Sequence, residues 1–298
     1  MKIEVKDLVK SFEGFRALDG LTLTVPKGAV YGLIGPNGAG KSTLIRHLAG
    51  IYRQDAGEIL IGGQPVFENT AVKSRIAYIP DEIFYYTQAN INDMAQFYRS
   101  AYPSFSRERF ERLGEAFPLD RRQSLRKLSK GMQKQAAFWL AASLMPDAVL
   151  LDEPVDGLDP VMRRQVWSLL MSDVAERGTT VLVSSHNLRE LEDVCDHVGM
   201  MDKGKMLIER GLGDLQENIL KVQLVLPEGG VLPEGLEILK QNAAGRVQQL
   251  VLRGRADELT AMLEAAKPLL METMPLTLEE IFIYELGGTG YEIKDILI

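Results

Sequence analysis

Gly35-Pro36-Asn37-Gly38-Ala39-Gly40-Lys41-Ser42 decides how this sequence is read. It satisfies G-x-x-x-x-G-K-[ST] at every fixed position. Ala29 to Ile34 (AVYGLI) precedes it as a short apolar strand, and STLIRHLAG from Ser42 onward follows as a helix ending near Gly50. Glycines let the backbone curl so that successive N–H groups point into one concavity, and the helix N-terminus adds its positive dipole end. In such a loop Gly35, Pro36, Asn37, Gly38, Ala39, Gly40 and Thr43 cradle phosphates. Lys41 reaches the β- and γ-phosphates, and the Ser42 hydroxyl holds Mg²⁺. The competing reading is a glycine-rich turn with no ligand. Strand, loop and helix in that order favour a nucleotide.

A second strand narrows the choice among phosphate-loop proteins. Ala148-Val149-Leu150-Leu151-Asp152-Glu153-Pro154 is an apolar run ending in two acids. Ligands of open α/β sheets lie beyond the carboxyl ends of strands, which places Asp152 to hold Mg²⁺. Glu153, one residue on, can orient or deprotonate an attacking water. An acidic turn after a core strand is the plain alternative. Leu128-Ser129-Lys130-Gly131-Met132-Gln133 lies between the two motifs, about 23 residues before Asp152. Ser129 reads as a helix N-cap, and a hydroxyl with glycine N–H groups at a helix N-terminus forms a second anion site. A plain N-cap explains this segment alone equally well.

With 298 residues the chain is long enough for one large domain and a smaller one. Apolar residues make up 46% and charged residues 25%, the balance of a soluble globular protein. Net charge is 34 − 41 = −7, so a general nucleic-acid-binding surface is not expected. A single cysteine, Cys195, rules out an internal disulfide and a multi-cysteine zinc site, and fits a reducing cytoplasm. MKIEVKDLVK alternates like a strand and lacks a signal peptide's apolar core. No run of about 18 apolar residues spans a membrane.

Outward from the loop, residues 2–31 read as β-rich, Glu58–Ile61 with Gly62-Gly63 as a hairpin strand and turn, and Lys73–Ile79 as a strand stopped by Pro80. From Phe84 to Lys127 helical spacing takes over, punctuated by Pro103 and Pro118, with Asn90 as a cap and Asp93 in the first turn. The β/α alternation resumes with a helix over Lys130–Ala142, a strand over Ala148–Leu151 and a helix over Val161–Glu176. A strand over Thr179–Ser184, a helix over Leu188–Cys195 and a hairpin over Val198–Leu207 complete it. That pattern predicts a mostly parallel sheet covered on both faces. Beyond Gly213, KVQLVL, RVQQLVLRG and LLMETMPL read as strands, and DELTAMLEAAK and LEEIFIYEL as helices. The expected division is 1–213, with a helical subdomain at about 84–135, and a small α+β domain at 214–298.

At this point the chain resembles the nucleotide-binding subunit of an ATP-binding cassette (ABC) transporter. GPNGAGKS (35–42), LSKGM (128–132), LLDEP (150–154), GLDP (157–160) and SSH (184–186) stand in that family's order and spacing over about residues 1–210. The resemblance implies a phosphate-loop NTPase core with a parallel sheet, an N-terminal antiparallel β subdomain, a helical insertion and a C-terminal α+β domain. It implies an ATPase using ATP and Mg²⁺ to power transport through an integral membrane subunit. Two ATPase subunits, a homodimer or heterodimer, sit peripherally on the inner face of the membrane.

It also assigns roles. Phe12 falls where the family stacks an aromatic on adenine, with Phe15 a second candidate. His186 falls at the switch histidine, which bonds the γ-phosphate and holds Glu153. Ser129 and Gly131 close over the γ-phosphate of a second subunit, and Asp159 lies in the loop crossing that interface. Asp81 stands where the family has a glutamine that contacts Mg²⁺ or water, and Lys130 replaces a signature glycine. The signature variant and the tail from Leu276 to Leu286 resemble the exporter-type branch handling drugs, antibiotics or lipids. The rival class is a soluble ABC-type ATPase acting on ribosomes or DNA; one cassette, one cysteine and a negative charge argue against it. Arg121-Arg122 and Arg126-Lys127 read as a solvated face. Phe84, Tyr85 and Tyr86 read either as core or as a dock for the membrane subunit.

Overall fold

A computed structural model describes residues 1–213 and 218–286 and separates into two compact units. The first comprises Met1–Asn187 with Val194–Glu209; the second, Leu188–Asp193 with Arg210–Ile298. The expected boundary beside 214, and the chain after 286, lie outside the described residues.

The first unit begins with β1 (Ile3–Phe12), β2 (Phe15–Val25) and β3 (Val30–Ile34), then α1 (Lys41–Leu48). β4 (Ala56–Ile61), β5 (Gln64–Pro65), α2 (Thr70–Lys73) and β6 (Ile76–Ile79) follow. An antiparallel sheet runs β2-β1-β4-β5. Ile3, Val5 and Leu8 face inward from β1 and pack with Leu21, Leu23 and Val25 of β2. Gly62 and Gly63 turn β4 into β5 with φ of 61° and 77°, a left-handed pair that a hairpin's twist demands. The strand expected from Lys73 starts later: Asn69 accepts from Val72 N and caps α2, so Lys73 ends a helical turn.

Next come α3 (Ile91–Ala101), α4 (Arg107–Ala116), a 3-10 turn (Leu125–Lys127) and α5 (Lys130–Ser143). Asn90 and Asp93 form a reciprocal capping box, Ser106 caps α4 and Ser129 caps α5. Trp139 of α5 stacks on Phe110 of α4, centroids 4.9 Å apart. Arg121 does not belong to a solvated face. Its guanidinium lies over both rings, 4.9 Å from Trp139 and 5.1 Å from Phe110, and its Nη1 is 2.5 Å from Glu111. Arg126 lies 5.5 Å over Phe84.

β7 (Ala148–Asp152), α6 (Pro160–Arg177), β8 (Thr180–Ser185), β9 (His197–Asp202) and β10 (Lys205–Gly211) complete this unit's framework. The six-stranded sheet runs β10-β9-β3-β8-β7-β6, with β6, β7, β8, β3 and β9 parallel. Every residue of β3, β7 and β8 is buried, as strands covered on both faces must be. Their carboxyl ends therefore emerge along one edge. Arg109 of α4 donates two bonds to Asp173 of α6, at 2.6 and 2.7 Å, both side chains buried.

In the second unit, α7 (Leu188–Glu192) belongs with a sheet ordered β12-β13-β11-β14. Its strands are β11 (Ile219–Val225), β12 (Glu237–Ala244), β13 (Val247–Arg253) and β14 (Leu270–Met274). Helices α8 (Ala256–Ala265) and α9 (Leu278–Leu286) accompany it. Val222, Leu224, Leu250 and Leu252 pack with Leu259 and Leu263 of α8. Among the described residues no helix is long and apolar enough to cross a membrane.

Candidate functional site

The loop from β3 to α1 is held by close backbone approach. Gly35, Gly38 and Gly40 have φ of 157°, 83° and 104°. A Cβ on Gly35 would collide with the Met201 carbonyl, and one on Gly40 would lie 2.8 Å from the Ala17 carbonyl. Glycine is required at both. The loop walls a cavity of about 320 Å³ lined by Pro36 to Thr43 together with Phe15, Ala17, Asp81 and Glu153.

Lys41 points back into its own loop, donating to Gly35 O at 2.5 Å and Pro36 O at 3.2 Å. Its Nζ is 3.8 Å from Glu153 Oε1. Burial pushes the Lys41 ammonium below its ordinary pKa, and Glu153 and Asp152 oppose that push. Ser42 Oγ donates to Asp152 Oδ1 at 3.0 Å, and Ser184 Oγ donates to the same oxygen at 2.8 Å. Asp152 is buried at the end of β7. A hydroxyl and a carboxylate oxygen this close are hard donors of the kind Mg²⁺ takes.

Glu153 follows with φ 46°, in the left-handed region. Its N–H donates to Ser184 Oγ at 3.2 Å, and His186 Nδ1 lies 3.0 Å from its Oε2. Burial raises the Glu153 carboxyl pKa, while His186 and Lys41 hold it down. Glu153, Asp156 and His186 bring ligand atoms within 4.8 Å of one another. The cluster can therefore bind an anion in the glycine loop, hold a divalent cation on Ser42 and Asp152, and accept a proton at Glu153.

Phe12, Asp81 and the Phe84–Tyr86 segment each sit in a defined environment. Phe12 does not line the cavity. Its ring packs edge-on against Tyr52 at 5.4 Å with Lys10 Nζ 5.4 Å from its centroid, and Phe15, across the turn, takes the wall. Asp81 reaches the wall, but its Oδ1 faces Lys134 Nζ at 3.4 Å. Tyr85 is core, its hydroxyl donating to Gln133 O at 3.1 Å, whereas Phe84 and Tyr86 are exposed.

Ser129, Gly131 and Asp159 are not among the residues lining the cavity. Ser129 caps α5 through Met132 N, and Asp159 caps α6 through Val161 N and Met162 N. A Cβ on Gly131 would lie 2.6 Å from the Gly157 carbonyl, so these two segments touch. Lys134 was missed by the sequence reading: it is buried and donates to Glu153 O at 2.6 Å. No periodicity marks it, because a lysine on a helix ordinarily signals solvent.

A family model described as ABC transporter matches residues 18–156. The chain is 31% identical over 289 residues to the ABC transporter ATP-binding protein YtrB of Bacillus subtilis, covering 96% of this chain and 98% of that protein. It is 37% identical over 234 residues to the daunorubicin/doxorubicin resistance ATP-binding protein DrrA of Streptomyces peucetius, covering 74% and 70%. Among solved structures, an ATP-binding subunit of an ABC transporter superposes with a TM-score of 0.67 at 30% identity, covering 72% of this chain and 92% of that one.

Proposed function

The chain belongs to the ABC transporter family of ATP-binding proteins, and from that we propose that it hydrolyses ATP to power transport through a separate membrane-spanning partner. The observation that carries this reading is one contiguous cluster. Lys41, Ser42, Asp152, Glu153 and His186 meet at the carboxyl edge of β3, β7 and β8.

The triphosphate lies in the Gly35–Thr43 cradle, its charge met by backbone N–H groups and Lys41. Ser42 and Asp152 would hold Mg²⁺, which would supply charge neutralisation for the phosphates. Glu153 orients the attacking water and takes its proton, and His186 fixes the Glu153 carboxylate. Phe15 on the cavity wall is favoured over Phe12 as the face for adenine. Since Ser129, Gly131 and Asp159 stand away from this cavity, they serve the cavity of a second ATPase subunit, a like copy or a related chain. Both halves of the constellation are intact here, so a homodimer is sufficient.

The name of DrrA, a daunorubicin/doxorubicin resistance ATP-binding protein, supports export, and the names of the relatives favour transport over a role on ribosomes or DNA. Exposed Phe84 and Tyr86, with Phe97 5.8 Å from Tyr86, offer the membrane subunit an aromatic dock. The chain then sits peripherally on the membrane. Purification from membranes tests this. A multi-span protein should copurify and stimulate ATP hydrolysis; recovery with ribosomes or DNA instead would reverse the assignment.

A further inference from the structure

Lys134 is a buried cation with two partners. Its Nζ donates to Glu153 O at 2.6 Å and lies 3.4 Å from Asp81 Oδ1. The three residues come from three segments: helix α5, the turn after β7 and the turn after β6. A buried ammonium is retained only where acceptors repay its lost hydration, so this lysine is committed to these two groups. One of them is the main chain of the residue read above as the catalytic base.

That main chain needs holding. Glu153 sits at φ 46°, a conformation that non-glycine residues keep only when their surroundings enforce it. Ser184 Oγ fixes its N–H and Lys134 fixes its carbonyl, so both flanking peptides are pinned. Lys134 also lies five positions after Ser129 on the helix that carries the signature segment. Any rotation of α5 is felt at the Glu153 carbonyl.

We propose that Lys134 is a positioning residue for ATP hydrolysis, holding the Glu153 backbone from the signature helix, with Asp81 as its counter-ion rather than as a metal ligand. The inference rests on the reading of Glu153 as base. Lys134 does not line the phosphate cavity; it acts by keeping the carboxylate aimed. Loss of the clamp should slow the chemical step and leave the phosphate cradle untouched.

The test is steady-state ATPase kinetics with Mg²⁺ titration on the purified full chain carrying K134Q, K134R, D81N or K134Q/D81N. Lys134→Gln should lower kcat about ten- to a hundredfold, because small misplacements of a catalytic group cost that much, with KM for ATP within about threefold. Lys134→Arg should recover most of the rate. Asp81→Asn should lower kcat in the same direction without raising the Mg²⁺ requirement, and the double variant should fall no further than the worse single one. An unchanged kcat in K134Q, additive losses in the double variant, or arginine failing to rescue would each overturn the proposal. A several-fold higher Mg²⁺ requirement confined to the Asp81 variants would return Asp81 to the metal. Glu153→Gln separates the two readings: if it hydrolyses ATP like the parent, the base assignment itself is lost. If it is inactive while K134Q is normal, only the Lys134 inference is lost.

Discussion

His186 Nδ1 lies 3.0 Å from Glu153 Oε2, and that contact opposes the effect of burial on the carboxyl group. Glu153 must be ionised to accept a proton. Burial raises its pKa, so ATP hydrolysis should fail on the acid side at a pH above the usual carboxylate range. His186 and Lys41 lower that pKa. Removing the imidazole therefore moves the acid limb to higher pH. His186→Ala should show this shift and lose about a hundredfold in kcat at neutral pH, the scale of a general-base contribution. A pH–rate profile of the two proteins decides it; superimposable acid limbs would contradict the pairing.

Lys41 should resist substitution even by arginine. Its Nζ makes a point contact with Gly35 O at 2.5 Å, a geometry that a planar, forked guanidinium does not reproduce. Lys41→Arg and Lys41→Met should both weaken ATP affinity by about tenfold or more, since a charge-assisted contact to phosphate is lost or misplaced. Titration with a fluorescent ATP analogue measures this. Arginine binding as tightly as lysine would show that charge alone suffices.

Gly131 answers a packing demand, beside the binding role proposed for it. Its absent side chain leaves room for the Gly157 carbonyl, which a Cβ would approach to 2.6 Å. Alanine must push apart the signature turn and the loop leading to Asp159. Gly131→Ala should keep single-chain ATP affinity within about twofold yet lower kcat by about tenfold or more, because the displaced loops serve the assembled site. Equal losses in affinity and rate would place the damage in the phosphate loop instead.

The Arg109–Asp173 pair ties the helical subdomain to α6. Asp173 is 2% exposed and Arg109 7%. Removing one partner of such a pair strands the other charge, which typically costs about 3–5 kcal/mol. Asp173→Ala should lower the urea midpoint by that equivalent. Replacing both with Leu and Met should recover much of it, since well-packed apolar pairs often match buried ion pairs. A single variant as stable as the parent would mean the pair contributes packing alone.

The glycine-loop half of the candidate site was legible because its geometry is local. Gly35, Gly40, Lys41 and Ser42 are fixed by one turn and its flanking strand and helix. Asp152 and Glu153 stand at the end of an apolar run whose burial dictates its direction in the sheet. What the sequence hid is contact between distant segments. Lys134 and Asp81 are 53 positions apart, and a lysine in a helix reads as solvent-facing until the fold buries it. Arg121 was misread for the same reason: nothing local announces two aromatic rings beneath it. β12 also went unread. Its sequence EILKQNAA is polar and its residues mostly exposed, so an edge strand is held by ladder bonds to β13 rather than by a hydrophobic stripe. Lys73 fell to α2 because Asn69 offers the Val72 N–H an acceptor, a capping bond that outweighs the strand-like pattern downstream.

The separation of Ser129 and Gly131 from the cavity of Gly35–Thr43 sets the final expectation. A site with one wall supplied by another subunit has a rate limited by how often two chains meet. At low protein concentration, specific ATPase activity should rise with chain concentration and level off once dimers dominate, as mass action requires. Nucleotide binding by the single chain should show no such rise, because the cradle, Lys41 and Ser42 are complete in one copy. Glu153→Gln should hold the dimer longer by slowing turnover, so its sedimentation in ATP should shift to the dimer at lower concentration than the parent's. Measuring turnover and sedimentation across one dilution series settles the point. Activity per chain that stays flat down to concentrations where only monomers sediment would show that the cavity works alone, and the role given to Ser129 and Gly131 would then be withdrawn.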